Sequence, residues 1–384
     1  MNTAKIKIQR LNPLSLSKQM QDINVDKAGI KIMSQKGEIL AFKISDLSRT
    51  QALILKQEAL SFNLEFATPR DLILCADKKY EGILFGKKNE LKDMLKGLKN
   101  QPFSLPKIAD EILQNVQSSQ VFERQIMGIV NCTDNSFYAN SRKNELEAIK
   151  QIEEFIGSSV HIIDIGAASS RPGADLIEPK EELAKLDGIF KHIVKNNLQK
   201  SSIFSIDTYN ALTAQAALDA GFVMINDVSG LSDFKMAELC VKYDSSYVLM
   251  HTKGRPKDMS NNCDYLHLFS EMDAFFSAKI EQLKQAFVRK IIIDPGFGFA
   301  KNPFQNMQIL KHLEHFKKFN LPILMGLSRK STLQKIIDKD AFGALSITLG
   351  ANLLALLNGA NILRVHDPKE HLDLLRLLKD YENA

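Results

Sequence analysis

Eight times between residues 126 and 367 a short apolar run ends in side chains that bind or carry charge. The runs are Ile126–Asn131, Val160–Asp164, Ile203–Asp207, Val223–Asp227, Tyr247–His251, Ile291–Asp294, Ile323–Ser328 and Ile362–Asp367. Their closing residues are Asn131, Asp164, Asp207, Asn226 with Asp227, His251, Asp294, Ser328 to Lys330, and Arg364 to Asp367. A carboxylate suits two hydrogen-bond donors lying side by side, and an arginine forms a two-pronged fork onto phosphate. One Asp after a strand is ordinarily a helix cap. Eight polar endings in series point instead to side chains that converge.

The elements that would converge them follow from the rhythm. Near-continuous β-branched runs separated by helical patterns signal a parallel sheet covered by helices. Eight such units in some 265 residues match a closed (β/α)8 TIM barrel of about 250 residues, whose strand C-termini meet at one mouth. An open doubly wound sheet is the alternative, but no Gly-rich dinucleotide fingerprint follows the first run.

Residues 1–118 read differently, as a small α+β accessory domain ahead of a barrel spanning 119–384. Short strands are expected at Lys5–Gln9, Gly29–Ser34, Ile39–Ile44, Asn63–Ala67 and Leu72–Cys75. Helices are expected at Ser48–Leu60, Asn89–Leu98 and Lys107–Gln117, with QPFSLP (101–106) closing the domain. No catalytic constellation falls in this part.

In order along the barrel stand MGIVNCTDNSF (127–137), DIGAASSRPG (164–173), SIDTY (205–209), INDVSG (225–230), MHTKGRP (250–256), DPGFGF (294–299), GLSRKS (326–331) and RVHD (364–367). Together they resemble the dihydropteroate synthase family over residues 120–384. The resemblance implies a (β/α)8 barrel that joins 6-hydroxymethyl-7,8-dihydropterin diphosphate to p-aminobenzoate. It further implies Mg²⁺ as the cofactor, sulfonamides as inhibitors and a cytoplasmic homodimer.

It assigns roles residue by residue. Asp207, Asn226, Asp294, Lys330 and Arg364 match the pterin contacts. Asn131, Arg364 and His366 match the diphosphate ligands, Asn131 also serving Mg²⁺. Ser170, Arg171, Pro172, Phe299 and Ser328 match the p-aminobenzoate site. Asn131, Lys330, Arg364 and His366 form the catalytic set. The chemistry is consistent: positive charge is needed where pyrophosphate leaves, and a neutral oxygen is what Mg²⁺ tolerates while it keeps waters and substrate oxygens. GLSRKS is expected to open a helix whose free N–H groups receive a carboxylate.

Some positions depart from the family pattern. Asp134 and Asn135 replace the usual Pro-Asp of the first loop. Ala168 stands where Glu is usual, and Ala300 replaces a glycine before Lys301. The alternatives are a pterin-binding methyl-transfer barrel, to which SRKS and RVHD would be superfluous, and a non-catalytic pterin-binding protein.

Composition bounds the rest. Of 384 residues, 45 % are apolar and 25 % charged, which excludes disordered and collagenous classes. The four cysteines, Cys75, Cys132, Cys240 and Cys263, form no CxxC pair, so neither a zinc site nor a secreted disulfide framework is expected. No signal peptide is expected at MNTAKIKIQR. Residues 1–120 hold 19 basic against 13 acidic side chains, and the remainder 31 against 32. The basic excess is dispersed, so a solvated surface is expected rather than a nucleic-acid partner. Ala341–Leu363 lacks charge; its Asn and Gly content favours a buried helix running into a strand over a membrane span. That helix is apolar nearly all round, which leaves a second face for a partner.

Overall fold

The computed structural model describes residues 8–74, 78–117, 120–132, 139–168, 177–254 and 262–383. The chain forms two compact units, Met1–Ser118 and Ser119–Ala384.

In the first unit, α1 (Leu16–Asp22) and α2 (Lys27–Lys36) precede β1 (Ile39–Leu47), α3 (Arg49–Ser61), β2 (Glu65–Ala67), β3 (Tyr80–Lys87), α4 (Lys88–Leu98) and α5 (Leu105–Gln117). The sheet is antiparallel in the order β1-β3-β2. Leu91, Met94, Leu95 and Leu98 of α4 and Leu105, Ala109, Ile112 and Val116 of α5 share one core with Leu55 of α3 and Leu84 of β3.

Two expected strands, Gly29–Ser34 and Leu72–Cys75, are not found here, and one strand is unforeseen. Gly29–Ser34 alternates like a strand but lies in α2, because Asp26 accepts hydrogen bonds from the Ala28 and Gly29 amides and starts a helix. Leu72–Cys75 is not a strand: Arg70–Leu74 is a 3-10 turn, and Cys75 lies outside the described residues. The central strand β3 is not expected from its sequence at all, since Gly82 and Gly86 dilute its pattern. Gly82 is required there by a close approach: a Cβ at this position would lie 2.2 Å from the Phe66 ring.

The second unit alternates strands with helices, with two helices between its last two strands. Its strands are β4 (Gln125–Asn131), β5 (Ile162–Gly166), β6 (Ile203–Asp207), β7 (Met224–Asp227), β8 (Ser246–Met250), β9 (Lys290–Asp294), β10 (Leu324–Met325) and β11 (Ile362–Val365). Between and after them run α6 (Ala139–Gly157), α7 (Pro179–Lys195), α8 (Ala211–Asp219), α9 (Lys235–Tyr243), α10 (Leu268–Gln285), α11 (Pro303–Lys311), α12 (Ser331–Ile337), α13 (Leu345–Leu357) and α14 (Pro368–Asn383).

All the strands are parallel, in the order β10-β11-β4-β5-β6-β7-β8-β9. A bridge from Ile293 to Ile323 joins the two ends and closes the barrel. Met127, Ile162, Met224, Val248, Ile292, Leu324 and Ile362 fill its interior. The opposite strand faces pack against the helices, which is why the strands are apolar on both sides.

The uncharged stretch forms a 3-10 turn at Phe342–Ala344, then α13 and β11. Thr348, Ala351, Asn352, Ala355 and Leu356 of α13 are buried, whereas Leu354 and Leu357 are about half exposed and Phe342 is largely exposed. Among the described residues no single helix is long and apolar enough to cross a membrane.

Candidate active site

The C-terminal ends of the strands bring several of the expected polar residues to one mouth, where Arg364, Asp164, Asp207 and Asn226 form a connected network. Its centre is Arg364 on β11. The Arg364 Nε donates to Asp164 Oδ2 on β5 at 2.6 Å, and Nη2 donates to Asp207 Oδ2 on β6 at 2.5 Å. Asn226 on β7 donates through Nδ2 to the same Asp164 oxygen at 2.9 Å. Thus four strands are tied by side chains that the sequence scatters over 200 positions. Gly166 permits this crowding, since a Cβ there would lie 3.0 Å from the Asp207 Cβ.

Asp164, Asp207 and Asn226 are all buried. Burial disfavours ionised Asp207. Arg364 opposes that effect, while Asp164, Glu182 and Asp227 add repulsion, so the Asp207 carboxyl is pushed up to about 7. Burial also works against the charge on Arg364, but Asp164 and Asp207 outweigh it and raise its pKa.

Asp294 ends β9. Its Oδ1 accepts from the Gly296 amide at 2.7 Å, so it caps its own loop with one oxygen. Burial raises its pKa, with Lys330 the largest opposing influence. Lys330, after β10, donates to the Phe297 carbonyl and stands 4.3 Å from the centre of the Phe299 ring. Burial pulls Lys330 down to about 8, although Asp294 favours its charge. Phe299 packs with Val228, Met250 and Ala300, and with Tyr209, in an apolar patch at the mouth.

The loop after β9 is held by Lys301, which is buried. Its ammonium reaches the carbonyls of His251, Gly296 and Phe299 and the His251 Nδ1. Burial lowers Lys301 to about 7, and burial with the nearby Lys301 pushes His251 down to about 2. A neutral His251 accepts at Nδ1 from the ammonium. Gly296 has φ +69, and a Cβ there would lie 2.1 Å from the His251 carbonyl oxygen, so glycine is required. Ala300 adopts φ +48, a conformation that favours the glycine usual at this place.

Ser328 and His366 bond to each other, Oγ to Nδ1 at 2.9 Å, and the His366 amide donates to the same Oγ at 3.2 Å. Arg329 pairs with Asp367 through two hydrogen bonds. A helix does open at the end of GLSRKS, from Ser331 with Lys330 at its N-cap, but it is only seven residues long. Asn131 lies at the end of β4, exposed. Ser170, Arg171 and Pro172, like Asp134 and Asn135, lie outside the described residues.

Two residues of this network have no assigned role in the sequence reading. Asp164 appears there only as one strand end among eight. Glu182 carries no sequence signal, being one of several acidic residues near the start of α7. It is buried, and its Oε2 accepts from Thr208 Oγ1 at 3.0 Å, Asn210 Nδ2 at 2.8 Å and Thr213 Oγ1 at 2.6 Å. It thereby pins the segment that follows Asp207.

This arrangement can hold a flat heterocycle by its donor edge against buried carboxylates, with two cations beside it. Comparisons with known proteins show the family. The model of the family described as pterin binding enzyme matches residues 127–366. A bifunctional dihydropteroate synthase/dihydropteroate reductase of Helicobacter pylori is 42 % identical over 377 residues, covering 98 % of this chain and 99 % of its own length. A Yersinia pestis dihydropteroate synthase, solved with a sulfonamide drug, is 31 % identical with a TM-score of 0.64; the match covers 68 % of this chain and 95 % of that one. A Burkholderia cenocepacia dihydropteroate synthase, solved with 7,8-dihydropteroate, is 30 % identical with a TM-score of 0.59, over 67 % of this chain and 91 % of that one. The chain belongs to the pterin-binding enzymes and, among them, to the dihydropteroate synthases.

Proposed function

We propose that the barrel mouth condenses 6-hydroxymethyl-7,8-dihydropterin diphosphate with p-aminobenzoate to 7,8-dihydropteroate and pyrophosphate. The observation that carries this reading is the union of Asp207, Asn226, Asp294, Lys330 and Arg364 at one mouth. A pterin edge presents an amino group beside a ring N–H, and buried carboxylates are the partners for such paired donors. Asp294 takes that edge with the oxygen not spent on Gly296, while Asp207 and Asn226 take the remaining contacts. Lys330 donates to ring acceptors from above Phe299.

The C–O bond at the pterin methylene breaks early, and the electron-rich dihydropterin spreads the cation. Arg364 and His366 meet the negative charge that develops on the departing pyrophosphate. The amine of p-aminobenzoate attacks the methylene from the opposite side and loses a proton. Phe299 walls the benzoate ring, and Ser328 and the short helix after it face the carboxylate, with Ser170, Arg171 and Pro172 assigned to the same subsite. No protein nucleophile is required. Asn131 offers Mg²⁺ one neutral oxygen, and no group of three or more His, Cys, Asp or Glu among the described residues could cage it. That donor set fits an ion shared with the diphosphate and water. When bound, Mg²⁺ neutralises charge on the leaving group.

Purified chain, Mg²⁺ and the two substrates are expected to yield dihydropteroate and pyrophosphate; no product would refute the reading. Asp294→Asn presents a donor to an edge of donors. Pterin affinity measured by calorimetry should fall by about 10–100-fold, as for loss of a charged hydrogen bond.

A carboxyl held near pH 7 must titrate in the working range. The deprotonated form of Asp207 accepts the ring donor, so kcat/KM for the pterin diphosphate should rise with pH through a midpoint near 7. Glu182 repels that charge, so Glu182→Gln is expected to move the acid limb downward, and an unmoved limb would separate Glu182 from Asp207.

A second activity, dihydropteroate reduction, is favoured by one fact: the bifunctional relative matches 98 % of this chain, residues 1–118 included, whereas the Yersinia synthase covers 68 %. Supplied with dihydropteroate and a reduced nicotinamide or flavin, the full chain is expected to reduce it. Residues 119–384 alone should keep only the synthase activity.

The exposed Phe342, Leu354 and Leu357 suit a homodimer packed through α13. Leu354→Glu should convert a dimer to monomer by light scattering, and a wild-type monomer would end that reading.

A further inference from the structure

Arg329 adopts φ +55, a left-handed conformation that glycine takes freely and other residues resist. It is the second central residue of a tight turn, closed by the Lys330 amide donating to the Leu327 carbonyl at 3.2 Å. Ser328 and Lys330, both placed in the substrate site, flank it. A glycine would make this turn without strain, so an arginine needs contacts that offset the cost.

Those contacts come from three helices and the end of β11. The Arg329 amide donates to Thr348 Oγ1 of α13 at 3.2 Å, and the Arg329 carbonyl accepts from Gln334 Nε2 of α12 at 2.6 Å. The guanidinium donates through Nε and Nη2 to the two carboxylate oxygens of Asp367, at 3.0 and 2.5 Å. Arg329 on Asp367 and Ser328 on His366 are thus adjacent rungs, and they continue the register in which Met325 of β10 lies opposite Leu363 of β11. Asp367 is held in turn. Its carbonyl can only accept, so His371 Nδ1, 2.7 Å away, carries the proton. Burial disfavours a charged His371 ring, which leaves Nε2 to accept from Asn352 Nδ2 at 2.8 Å. Thr348, Asn352 and His371 are fully buried.

We propose that Arg329 is a positioning residue and not a substrate ligand: held by Asp367, Thr348 and Gln334, it fixes the turn that presents Ser328 and Lys330, while His371 and Asn352 anchor Asp367 to α14 and α13. Helices behind the barrel strands thereby set the geometry of the p-aminobenzoate side of the mouth. The pterin side is set separately, because Asp207, Asn226 and Asp294 stand on other strands. This inference rests on the condensation proposed above.

The test compares the full-length wild type with Asp367→Asn, Thr348→Val and Thr348→Ser. KM for p-aminobenzoate, calorimetric affinity for the pterin diphosphate and the urea midpoint are measured for each. Asp367→Asn turns a donor toward a guanidinium that can only donate, so the p-aminobenzoate KM should rise by about tenfold. Thr348→Val removes the acceptor of the Arg329 amide and should raise the same KM by about three- to tenfold, whereas Thr348→Ser keeps the hydroxyl and should stay near wild type. Pterin affinity should remain within about threefold throughout. A KM that falls in Asp367→Asn would mean that the freed guanidinium meets the substrate carboxylate itself, and the inference would be overturned. A lowered urea midpoint with an unmoved KM would reduce these contacts to stability alone and overturn it as well. Should Asp367→Asn not fold, Thr348→Val against Thr348→Ser decides, since only a held turn makes the hydroxyl matter to KM. A wild type that forms no dihydropteroate would overturn the functional reading and this inference with it; unmoved KM values on an active wild type overturn this inference alone.

Discussion

Arg364 between Asp164 and Asp207 is the contact on which the mouth depends. Three charged groups are withdrawn from most of the solvent at the top of a barrel whose interior is otherwise filled by Met, Ile, Val and Leu. Desolvating such a group without a partner costs several kcal/mol, on the order of the whole stability of a domain, so each must find its counter-ion. The guanidinium satisfies two carboxylates at once because its donors lie in a rigid plane. A lysine in its place would offer a point charge and lose one of the two directions. This geometry ties β11 to β5 and β6, and through Asp164 to β7.

The other side of the mouth uses a lysine for a different purpose. Lys301 gathers carbonyls from His251, just after β8, and from the loop after β9, a task for a compact donor with three protons. The close packing of Gly296 against the His251 carbonyl makes that staple possible. Asp294 and Phe299 are consequently fixed at the two ends of one loop, the carboxylate against the Gly296 amide and the ring in the apolar patch with Val228 and Met250. Burial brings Asp207, Lys301 and Lys330 toward neutrality from opposite directions.

The first unit is built on other terms. Its antiparallel sheet is three strands wide, and one face is covered by helices that bury Leu55, Leu91 and Leu95 completely. The opposite face keeps Ile39, Ile83 and Phe85 partly exposed. No residue of the barrel-mouth set lies in it. A bifunctional relative matches 98 % of this chain, whereas a single-function synthase structure matches 68 %.

All eight barrel strands and every polar residue at their ends were legible in the sequence. Parallel strands buried on both faces leave an unbroken apolar run, and the barrel forces each run to finish at the same rim. Local caps and packing defeated the same method in the first unit. Gly29–Ser34 has a strand's alternation but carries the cap of Asp26, and the central strand β3 is hidden by glycines whose reason is the Phe66 ring. Glu182 was invisible for a related cause: an acidic residue in the first turn of a helix reads as solvated, and only the approach of Thr208, Asn210 and Thr213 from the next β/α unit makes it a buried acceptor. The sequence alone thus determined which groups stand at the mouth, because strand periodicity is a local property. Only the tertiary structure decided which of them bond to one another, because burial and hydrogen-bond partners arise between segments that meet on folding.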